Sequence, residues 1–469
     1  MSFLDPLYLF YLAAAFATFW GSVLAFFRHN ERCGLPACIL AAISLAFYAH
    51  YSAIFAGLLM VMAISAYYSV SLASRRSWAQ GGLVAIVALL ALPLLVFKYS
   101  EFFLESIGLD GLIGVGVLTL PLAISFYTFQ NISYVVGNFN RSQPAAKDLA
   151  EYLAYLSFFP QLVAGPIVTA RDFLPQIRRK LSTVRLDFTG ASFYLLSGYI
   201  KKAVFADHLA TVADPAFANP NAFSGAALVV AVLAYTLQIY FDFSGYSDIA
   251  IGTARLFGIR LPENFNFPYS AVGFRDFWRR WHITLSTWLR DHLYIPLGGS
   301  RSGLARLVMA LLVTMTLGGL WHGAHWNFVL WGAAHGALLI IERPVGRWVR
   351  NFQPRTLAAL RPLGVLATFC LAALLWIPFR TGAMEMGFER SLWIYRGIFT
   401  WQGGAFSETG LRLVVFTLGC LLLASFQYGR VKNWFRRISS VWAGAVTAIA
   451  SLLIFAFAAG GGAFIYFIF

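Results

Sequence analysis

The stretch RLVMALLVTMTLGGLWHGAHWNFVLWGAAHGALLIIER, residues 306–343, predicts the fold around it. It holds two apolar runs, each bounded on its outer side by an arginine, Arg306 or Arg343. Basic residues of membrane proteins collect in cytoplasmic loops, so both ends of this stretch are expected on the cytoplasmic side. The two runs then form a tight helical hairpin within the membrane. Its apex carries two histidines, His322 and His325.

The composition of the chain supports this interpretation. Its 469 residues are 59% apolar and 12% charged, and the mean hydropathy is +0.69. A soluble globular protein is about 45–50% apolar and about 25% charged, because it needs charged groups to cover its surface. The sequence therefore predicts an integral membrane protein of the all-α class. Its formal net charge of +15 is assigned to cytoplasmic loops and not to a nucleic-acid partner.

Apolar runs of the length of a membrane span recur along the chain. They predict one domain over residues 1–469, with roughly 11 transmembrane helices and additional re-entrant or interfacial helices. Basic residues follow the first run, 7–27, whereas they precede the apolar run of a signal peptide, so a retained span is expected. Counting spans against basic loops places both termini outside the cytoplasm. Two further runs are 224–241 and 244–258, and Gly245, near the start of the second, is where a break is expected.

Two carboxylates lie inside one of these apolar segments, QIYFDFSGYSD, residues 238–248. Burying a charged side chain in a membrane costs about 3 kcal/mol or more, so Asp242 and Asp248 need cationic partners or water. One interpretation is a structural ion pair with an arginine from 275–290. The other is a catalytic or proton-relay role. The sequence leaves both alternatives open.

A segment rich in arginine and aromatic residues, FRDFWRRWHITLSTWLRD, spans residues 274–291. This composition is typical of a helix at the cytoplasmic membrane interface, where it can bind lipid headgroups. Guanidinium groups also suit the phosphates of a nucleotide-like cofactor, which makes Arg279, Arg280 and Arg290 candidates for that role. His282 is either available for chemistry at this site or a structural hydrogen-bonding residue.

One histidine at the apex of the predicted hairpin, His322, is the main candidate for catalysis. An imidazole can act as a general base, because its ordinary pKa lies near neutral pH. Gly318, Gly319 and Gly323 remove side-chain bulk around it, which would let a substrate chain pass close to the backbone. The alternative is a packed histidine with one hydrogen bond. No metal site is expected, because His322 and His325 lack neighbouring carboxylates or thiolates and the four cysteines form no ligand motif.

Six motifs of the chain together resemble the membrane-bound O-acyltransferase family. The resemblance covers about residues 120–380 and is strongest to the bacterial branch that acetylates alginate and cellulose. The motifs are LPLAISFYTFQNISY (120–134), FFPQLVAGPI (158–167), QIYFDFSGYSDIAIG (238–252), ENFNFPY (263–269), FWRRWHITLSTWLRDHLYIPLGG (277–299) and GGLWHGAHWNFVLWGAAHG (318–336).

The resemblance implies an acyltransferase embedded in the membrane, with a central tunnel and no permanently bound cofactor. It matches His322 to the catalytic histidine of the family and His335 to the second histidine of the WG-x-x-HG pattern. Relatives carry tryptophan at the position of Ala334. Asp242 and Asp248 match the acidic positions of the FDFSGYSD motif and complete the expected catalytic set.

The expected reaction is transfer of acetyl from acetyl-CoA to a hydroxyl. The resemblance makes this a step in the O-acetylation of an exopolysaccharide, of alginate or cellulose type, at the bacterial inner membrane. Acetyl-CoA would enter from the cytoplasm, and the acetyl group would leave toward the periplasm. Arg279, Arg280, His282 and Arg290 would hold the donor at the cytoplasmic mouth, beside membrane lipid.

A periplasmic protein that relays acetyl groups or modifies the polysaccharide is the expected partner, since the chain has no sizeable soluble domain to grip a polymer. The candidate docking surface is segment 381–410, with Trp393, Tyr395, Trp401 and Phe406.

Two other functions are compatible with the sequence. A related acyltransferase would serve the D-alanylation of teichoic acid, with a carrier-protein thioester as donor in place of free CoA. A proton- or ion-coupled transporter would use Asp242, Asp248 and His322 as ion sites. The sequence lacks the duplicated broken helices that are typical of such transporters.

Overall fold

The computed structural model describes residues 5–26, 34–73, 80–109, 119–162, 165–179, 184–349 and 352–457. In these residues the regular structure is helical and contains no β-strand, so the predicted all-α class is confirmed. The chain forms two compact units. The first comprises residues 1–197, 246–262 and 438–448, and the second comprises 198–245, 263–437 and 449–469. The single domain expected over residues 1–469 stays a prediction.

The described residues form twenty α-helices. In chain order they are α1 (Pro6–Phe26), α2 (Leu35–Ala49), α3 (Ala53–Ala73), α4 (Gln80–Leu94), α5 (Ser100–Ser106), α6 (Ile124–Phe139), α7 (Leu149–Ser157), α8 (Phe159–Leu162), α9 (Ala170–Ile177), α10 (Phe188–Tyr199), α11 (Asp207–Ala218), α12 (Gly225–Leu256), α13 (Phe274–Trp278), α14 (Ile283–Leu289), α15 (Leu304–His322), α16 (Trp326–Val349), α17 (Pro354–Thr381), α18 (Gly387–Phe399), α19 (Glu408–Arg437) and α20 (Ser440–Phe457). Three π-helical turns adjoin them, at Leu95–Tyr99, Ile200–Ala206 and Arg290–Tyr294. Such turns are uncommon and occur frequently at functional sites.

Much of the described chain is built to cross a membrane. Eight helical segments there are long and apolar enough to span a bilayer: Leu7–Ala25, Ala53–Leu72, Gln80–Ser106, Gly225–Leu256, Leu304–His322, Trp326–Gly346, Pro354–Thr381 and Glu408–Phe435. Two shorter apolar helices, Leu35–Ala49 and Val441–Leu452, accompany them. Large apolar side chains such as Phe416 and Phe426 lie exposed on α19, as lipid but not water favours. The multi-pass membrane class is confirmed, while the total of roughly 11 crossings stays a prediction.

Some predicted features lie outside the described residues. They include both ends of the chain, 1–4 and 458–469, and the basic loops 27–33 and 74–79. The side of the membrane on which the termini lie stays a prediction. One of the recurring apolar runs, residues 112–137, also begins outside the described residues, and its described part contains most of α6.

The break expected at Gly245 is wrong, because α12 continues through that residue without interruption. Glycine is needed there for another reason. A Cβ atom at Gly245 would lie 2.9 Å from the carbonyl oxygen of Gly198 and 3.2 Å from the backbone nitrogen of Lys202. Contacts this short would force the backbones apart. The small residue therefore lets α12 pack directly on the backbone of residues 198–202, within the second unit.

The hairpin predicted from residues 306–343 is confirmed. α15 ends at His322 and α16 begins at Trp326, so three residues connect the two helices. The helices pack closely at Gly332, where a Cβ atom would overlap the carbonyl oxygen of Met315. The histidine at the end of α15 therefore lies at a fixed point of a tightly packed helix pair.

The prediction that glycines make room for a substrate beside His322 is wrong for Gly319 and Gly323. A Cβ atom at Gly319 would overlap the carbonyl oxygen of Phe328, and one at Gly323 would overlap the ring of the same residue. Both glycines therefore serve the packing of α15 against α16. Gly318 instead faces Leu289 of α14, whose Cδ1 would lie 3.0 Å from a Cβ atom there.

Candidate active site

Three aromatic rings surround the imidazole of His322, which is 3% exposed. Its ring centroid lies 4.9 Å from that of Trp321, 5.3 Å from that of Trp331 and 5.0 Å from that of Phe379. Each ring meets the imidazole at 70° or more, in the edge-to-face arrangement that aromatic pairs favour. The end of α15 thus presents an oriented imidazole inside an aromatic cluster.

His335 belongs to the same cluster. It lies one turn after Trp331 on α16, and the two ring centroids are 4.6 Å apart. Because Trp331 also contacts His322, one indole links the two histidines. The Nε1 of Trp278 donates a hydrogen bond of 3.3 Å to the Nδ1 of His335. A neutral imidazole that accepts at Nδ1 carries its proton on Nε2.

Further tryptophans hold this cluster in place. Trp376 stacks on Trp331 with centroids 5.7 Å apart, and Trp281 packs against Trp376 at 4.9 Å. The Nε1 of Trp376 donates to the hydroxyl of Tyr269 at 3.2 Å, and that hydroxyl donates to the carbonyl of Thr236 at 2.6 Å. The row of packed rings is thus held by a hydrogen bond at each end, from Trp278 to His335 and from Trp376 to Tyr269. A preorganised shell of this kind positions functional groups precisely enough for chemistry.

Asp242 lies in a buried group of three charges. The Nζ of Lys202 lies 2.7 Å from a carboxylate oxygen of Asp242 and 2.7 Å from one of Asp207. All three side chains are at most 4% exposed. The expectation of a partner arginine from 275–290 is wrong, because the cation that binds Asp242 comes from the π-helical turn Ile200–Ala206. We call these three residues the ion triad.

The second carboxylate of the FDFSGYSD motif has different surroundings. Asp248 belongs to the first unit, where its Oδ2 accepts a hydrogen bond of 2.7 Å from the hydroxyl of Ser197. It is 8% exposed. The structure places Asp242, but not Asp248, in the unit that contains His322 and His335.

The structure places His282 in the interior, immediately before α14. Its ring centroid lies 4.7 Å from that of Phe243 and 6.1 Å from that of Trp321, the neighbour of His322. Its Nδ1 lies 3.2 Å from the Oδ1 of Asn264, whereas its Nε2 has no hydrogen-bond partner in the described part of the chain. Burial lowers the pKa of His282 to about 3, so its ring is neutral at physiological pH.

The three arginines expected to bind the donor are not buried. Arg279 is exposed. The Nε of Arg280 lies 2.9 Å from a carboxylate oxygen of Asp276, and that of Arg290 lies 2.7 Å from one of Asp291. Ion pairs at such surfaces contribute at most about 1 kcal/mol, so they leave the guanidinium groups able to bind an anion. The donor-binding role of these arginines stays a prediction.

The sequence analysis did not identify Lys202 or the link through Trp331. A signal for Lys202 exists, because a lysine inside the apolar stretch after residue 188 needs a buried partner. Trp331 and His335 are four residues apart, a spacing that places side chains together on a helix. The contact of Trp331 with His322 depends on how α15 and α16 pack together. The spacing of residues along one helix does not predict that packing.

Comparison with known proteins identifies the family of this chain. Residues 32–375 match the model of the membrane-bound O-acyltransferase family, a range that includes Asp242, His322 and His335. A probable alginate O-acetylase of Pseudomonas aeruginosa is 41% identical over 343 residues, which cover 70% of this chain. The match spans only 64% of the length of that relative.

Two other relatives differ in similarity. A peptidoglycan O-acetyltransferase of Helicobacter pylori is 35% identical over 423 residues, covering 82% of this chain and 77% of that protein. A teichoic acid D-alanyltransferase of Streptococcus thermophilus is 27% identical over 307 residues, covering 58% of this chain and 69% of that protein. The resemblance found in the motifs is confirmed, and the chain belongs to the membrane-bound O-acyltransferase family.

Proposed function

We propose that this chain is a membrane O-acetyltransferase that acetylates a polysaccharide. The observation that carries the proposal is the placement of His322 at the end of α15, in an aromatic cluster that it shares with His335. Two relatives support the choice of reaction, since one is named alginate O-acetylase and another peptidoglycan O-acetyltransferase. Both names describe acetylation of a polysaccharide.

The proposed reaction needs one base and an activated donor. His322 accepts the proton of the acceptor hydroxyl as the hydroxyl oxygen attacks the thioester carbonyl of the donor. A new C–O bond forms, the C–S bond breaks, and the departing thiolate takes the proton from the imidazolium. Protons balance within the site, so this mechanism requires no metal ion and no relay to solvent.

His335 and Trp331 are proposed as positioning residues. Trp331 packs against both imidazoles and fixes their separation. The hydrogen bond from Trp278 holds His335 in the form that donates from Nε2. Asp242 is assigned a supporting role through the ion triad, because its carboxylate is bound by Lys202.

The orientation in the membrane is proposed from the arginines at the helix ends. Arg306 lies near the start of α15, Arg343 near the end of α16 and Arg355 near the start of α17. By the positive-inside rule these three ends face the cytoplasm. His322, at the other end of α15, then lies nearer the periplasmic side of a bacterial inner membrane. An acetyl group carried from the cytoplasm along α15 would reach the acceptor there.

Acetyl-CoA is the proposed donor, and Arg279, Arg280 and Arg290 are proposed to bind its phosphates. Reversing the charge of the first two, Arg279→Glu with Arg280→Glu, should weaken CoA binding at least tenfold, measured as the Kd of the purified protein for CoA. An unchanged Kd assigns these arginines to lipid headgroups instead.

The acceptor side is proposed to involve a periplasmic partner. In segment 381–410, Trp401 is 67% exposed and Phe406 is 46% exposed, so both are available for docking. Tyr395 is not, because it packs against the core and its hydroxyl donates to a backbone carbonyl of α17. Trp393 is half-buried. The candidate docking surface therefore narrows to Trp401 and Phe406.

The central test is His322→Ala, with His322→Gln as a second variant that keeps the size of the side chain. Loss of a general base reduces rates by about 10²–10⁴-fold, so polymer acetylation should fall at least a hundredfold. Purified protein, acetyl-CoA and polysaccharide, with the partner where needed, provide the assay, and accumulation in the membrane should be unchanged. The matched control is His50→Ala, an exposed histidine of the first unit. Normal acetylation by both His322 variants contradicts the proposal.

A second candidate, D-alanyl transfer to teichoic acid, is supported by the Streptococcus thermophilus relative. Its identity of 27% is below the 41% and 35% of the two acetyl-transferring relatives, so acetyl transfer is preferred. Supplying the purified protein separately with acetyl-CoA and with a D-alanyl carrier protein distinguishes the two donors. Membership of an acyltransferase family also favours either transfer over the transporter interpretation.

A further inference from the structure

One buried hydroxyl on α15 has no hydrogen-bond partner among the described residues, as is also the case for Thr128 of α6 and Ser244 of α12. It belongs to Thr314, which is 5% exposed. Buried threonines of spanning helices normally donate to the carbonyl four residues earlier. Thr236, Thr368 and Thr417 all do so, at 2.7, 2.7 and 2.8 Å. The Thr314 hydroxyl makes no such bond although it is buried, so its own helix does not satisfy it.

Thr314 shares a helix face with His322. Thr314, Gly318 and His322 follow one another at intervals of four residues, which places them along one side of α15. Along the helix axis, Thr314 and His322 are about 12 Å apart. The residue of α15 between them on this face is Gly318, which adds no side chain of its own, and the methyl groups of Leu289 lie against it.

The chemistry of this face suits a long thioester donor. Its features are a polar hydroxyl, then an apolar wall at Leu289, then the imidazole. The phosphopantetheine arm of CoA has a matching order, since amides and methylene groups precede its sulfur. An unpaired buried hydroxyl costs free energy, and an amide N–H or C=O placed there would recover it.

The direction of approach agrees with this match. Thr314 lies between the start of α15, flanked by Arg301 and Arg306, and His322 at its end. A donor that enters from the arginine-rich end passes Thr314 before its thioester reaches the imidazole. The amides of the arm would then lie near Thr314 when the acetyl group lies near His322.

We propose that the Thr314 hydroxyl binds an amide of the donor's phosphopantetheine arm. This inference rests on the proposed acyl transfer and adds the residue that recognises the donor between its phosphates and its sulfur. Free CoA and a carrier protein share this arm, so both donors would use the same contact. Thr314 is a binding residue in this proposal and takes no part in bond making.

The test is Thr314→Val, which replaces the hydroxyl with a methyl group of similar size. With acetyl-CoA, KM should rise about tenfold, the factor that corresponds to about 1.4 kcal/mol, while kcat stays within twofold. Thr314→Ser keeps the hydroxyl and should keep KM within twofold. Thr417→Val, a buried threonine of α19 that donates to Leu413, is the matched control and should leave KM unchanged.

A donor without amides separates recognition of the arm from damage to the fold. S-Propyl thioacetate carries the acetyl thioester alone, so Thr314→Val and the unaltered protein should use it equally well. An acetylated carrier protein should show the same rise in KM as acetyl-CoA if the unaltered protein uses it. If the valine variant fails to accumulate, Thr314→Ala takes its place.

Two results overturn the inference while leaving the proposed function intact. They are an unchanged KM of the valine variant for the arm-bearing donor, and an equal loss with S-propyl thioacetate. A different result removes the proposed function itself, namely the absence of transfer by the unaltered protein from either acetyl-CoA or the carrier protein.

Discussion

The second unit contains two buried polar sites that are built in opposite ways. In the ion triad, the ammonium group of Lys202 lies 2.7 Å from a carboxylate oxygen of Asp207 and 2.7 Å from one of Asp242, so the site is held by ion pairs. Around His322 and His335 the neighbours are the rings of tryptophan and phenylalanine. Both sites lie in an apolar protein interior, where an isolated charge is costly.

We infer from this difference that the ion triad stabilises the fold, whereas the aromatic site carries out the proposed reaction. A carboxylate bound by a buried ammonium group is committed to that ion pair, so its main effect is on the free energy of folding. An imidazole packed among rings is held by shape, and its nitrogen atoms can serve a reaction. We therefore expect substitutions in the ion triad to act on stability and substitutions among the rings to act on turnover.

The largest effect is expected from removing the cation of the ion triad. Lys202→Met removes the ammonium group between two buried carboxylates and should lower the free energy of unfolding by about 3–5 kcal/mol. Thermal unfolding in detergent measures this loss. Adding Asp207→Asn and Asp242→Asn to the methionine variant should restore most of the stability, since none of the three buried charges then remains. An unfolding temperature like that of the unaltered protein would show that the triad does not hold α12 in place.

The next largest effect tests whether the close packing of α15 against α16 positions His322. Gly319→Ala adds a methyl group against the backbone of α16 and should destabilise the hairpin by about 1–3 kcal/mol. Turnover should fall as well, because the end of α15 that carries His322 would move. Gly419→Ala, in α19, is the control, as its Cβ would meet open space. If the two variants unfold alike, close packing of the hairpin is not what positions the histidine.

A third effect concerns pH and the neutral ring of His282. Its pKa is about 3 in the folded protein and 6.5 in an unfolded chain, so the unfolded chain binds a proton that the folded protein does not. Stability should therefore fall as pH falls from 6.5 toward 3, by about 1.4 kcal/mol for each pH unit. Melting curves at pH 7.5 and 5.5 measure this dependence. His282→Asn should reduce the difference, whereas His50→Gln, at an exposed position, should preserve it; equal slopes in all three proteins refute the assignment.

The smallest expected effect removes one hydrogen bond. Trp278→Phe keeps an aromatic ring but loses the donor to Nδ1 of His335, at a cost of about 1 kcal/mol. If His335 orients the reaction, kcat should fall about fivefold with little change in KM or in unfolding temperature. A loss confined to stability would assign His335 to packing, on the same side of the comparison as the ion triad.

Periodicity and charge along the sequence predicted the parts of the fold that depend on one helix or one loop. The hairpin followed from two apolar runs between Arg306 and Arg343, and His322 followed from its place at the apex. The roles of Gly245, Gly319 and Gly323 could not be derived in this way. In each case the decisive atom belongs to another helix, such as the carbonyl of Gly198 in α10 or of Phe328 in α16.

The same limit applies to the candidate site. A buried carboxylate at Asp242 implied a cation, but the arginines of 275–290 and Lys202 lie at similar distances from it along the chain, and only packing chooses Lys202. Because His282 follows Arg279 and Arg280 in its motif, the sequence analysis grouped it with these arginines at the cytoplasmic mouth. The fold instead places it in the interior. The sequence indicated which kind of group each residue needs, but it did not indicate which residue supplies that group.

The π-helical turn Ile200–Ala206 has a consequence for how this chain can vary. A turn of this kind accommodates one residue more than an α-helical turn. Lys202 and Asp207 are five residues apart, and the extra residue brings them onto one helix face, whereas residues five apart in a regular α-helix lie about 140° apart around the axis. A substitution that converts this turn into regular α-helix at unchanged chain length would therefore separate the ammonium group from Asp207 without altering any charge.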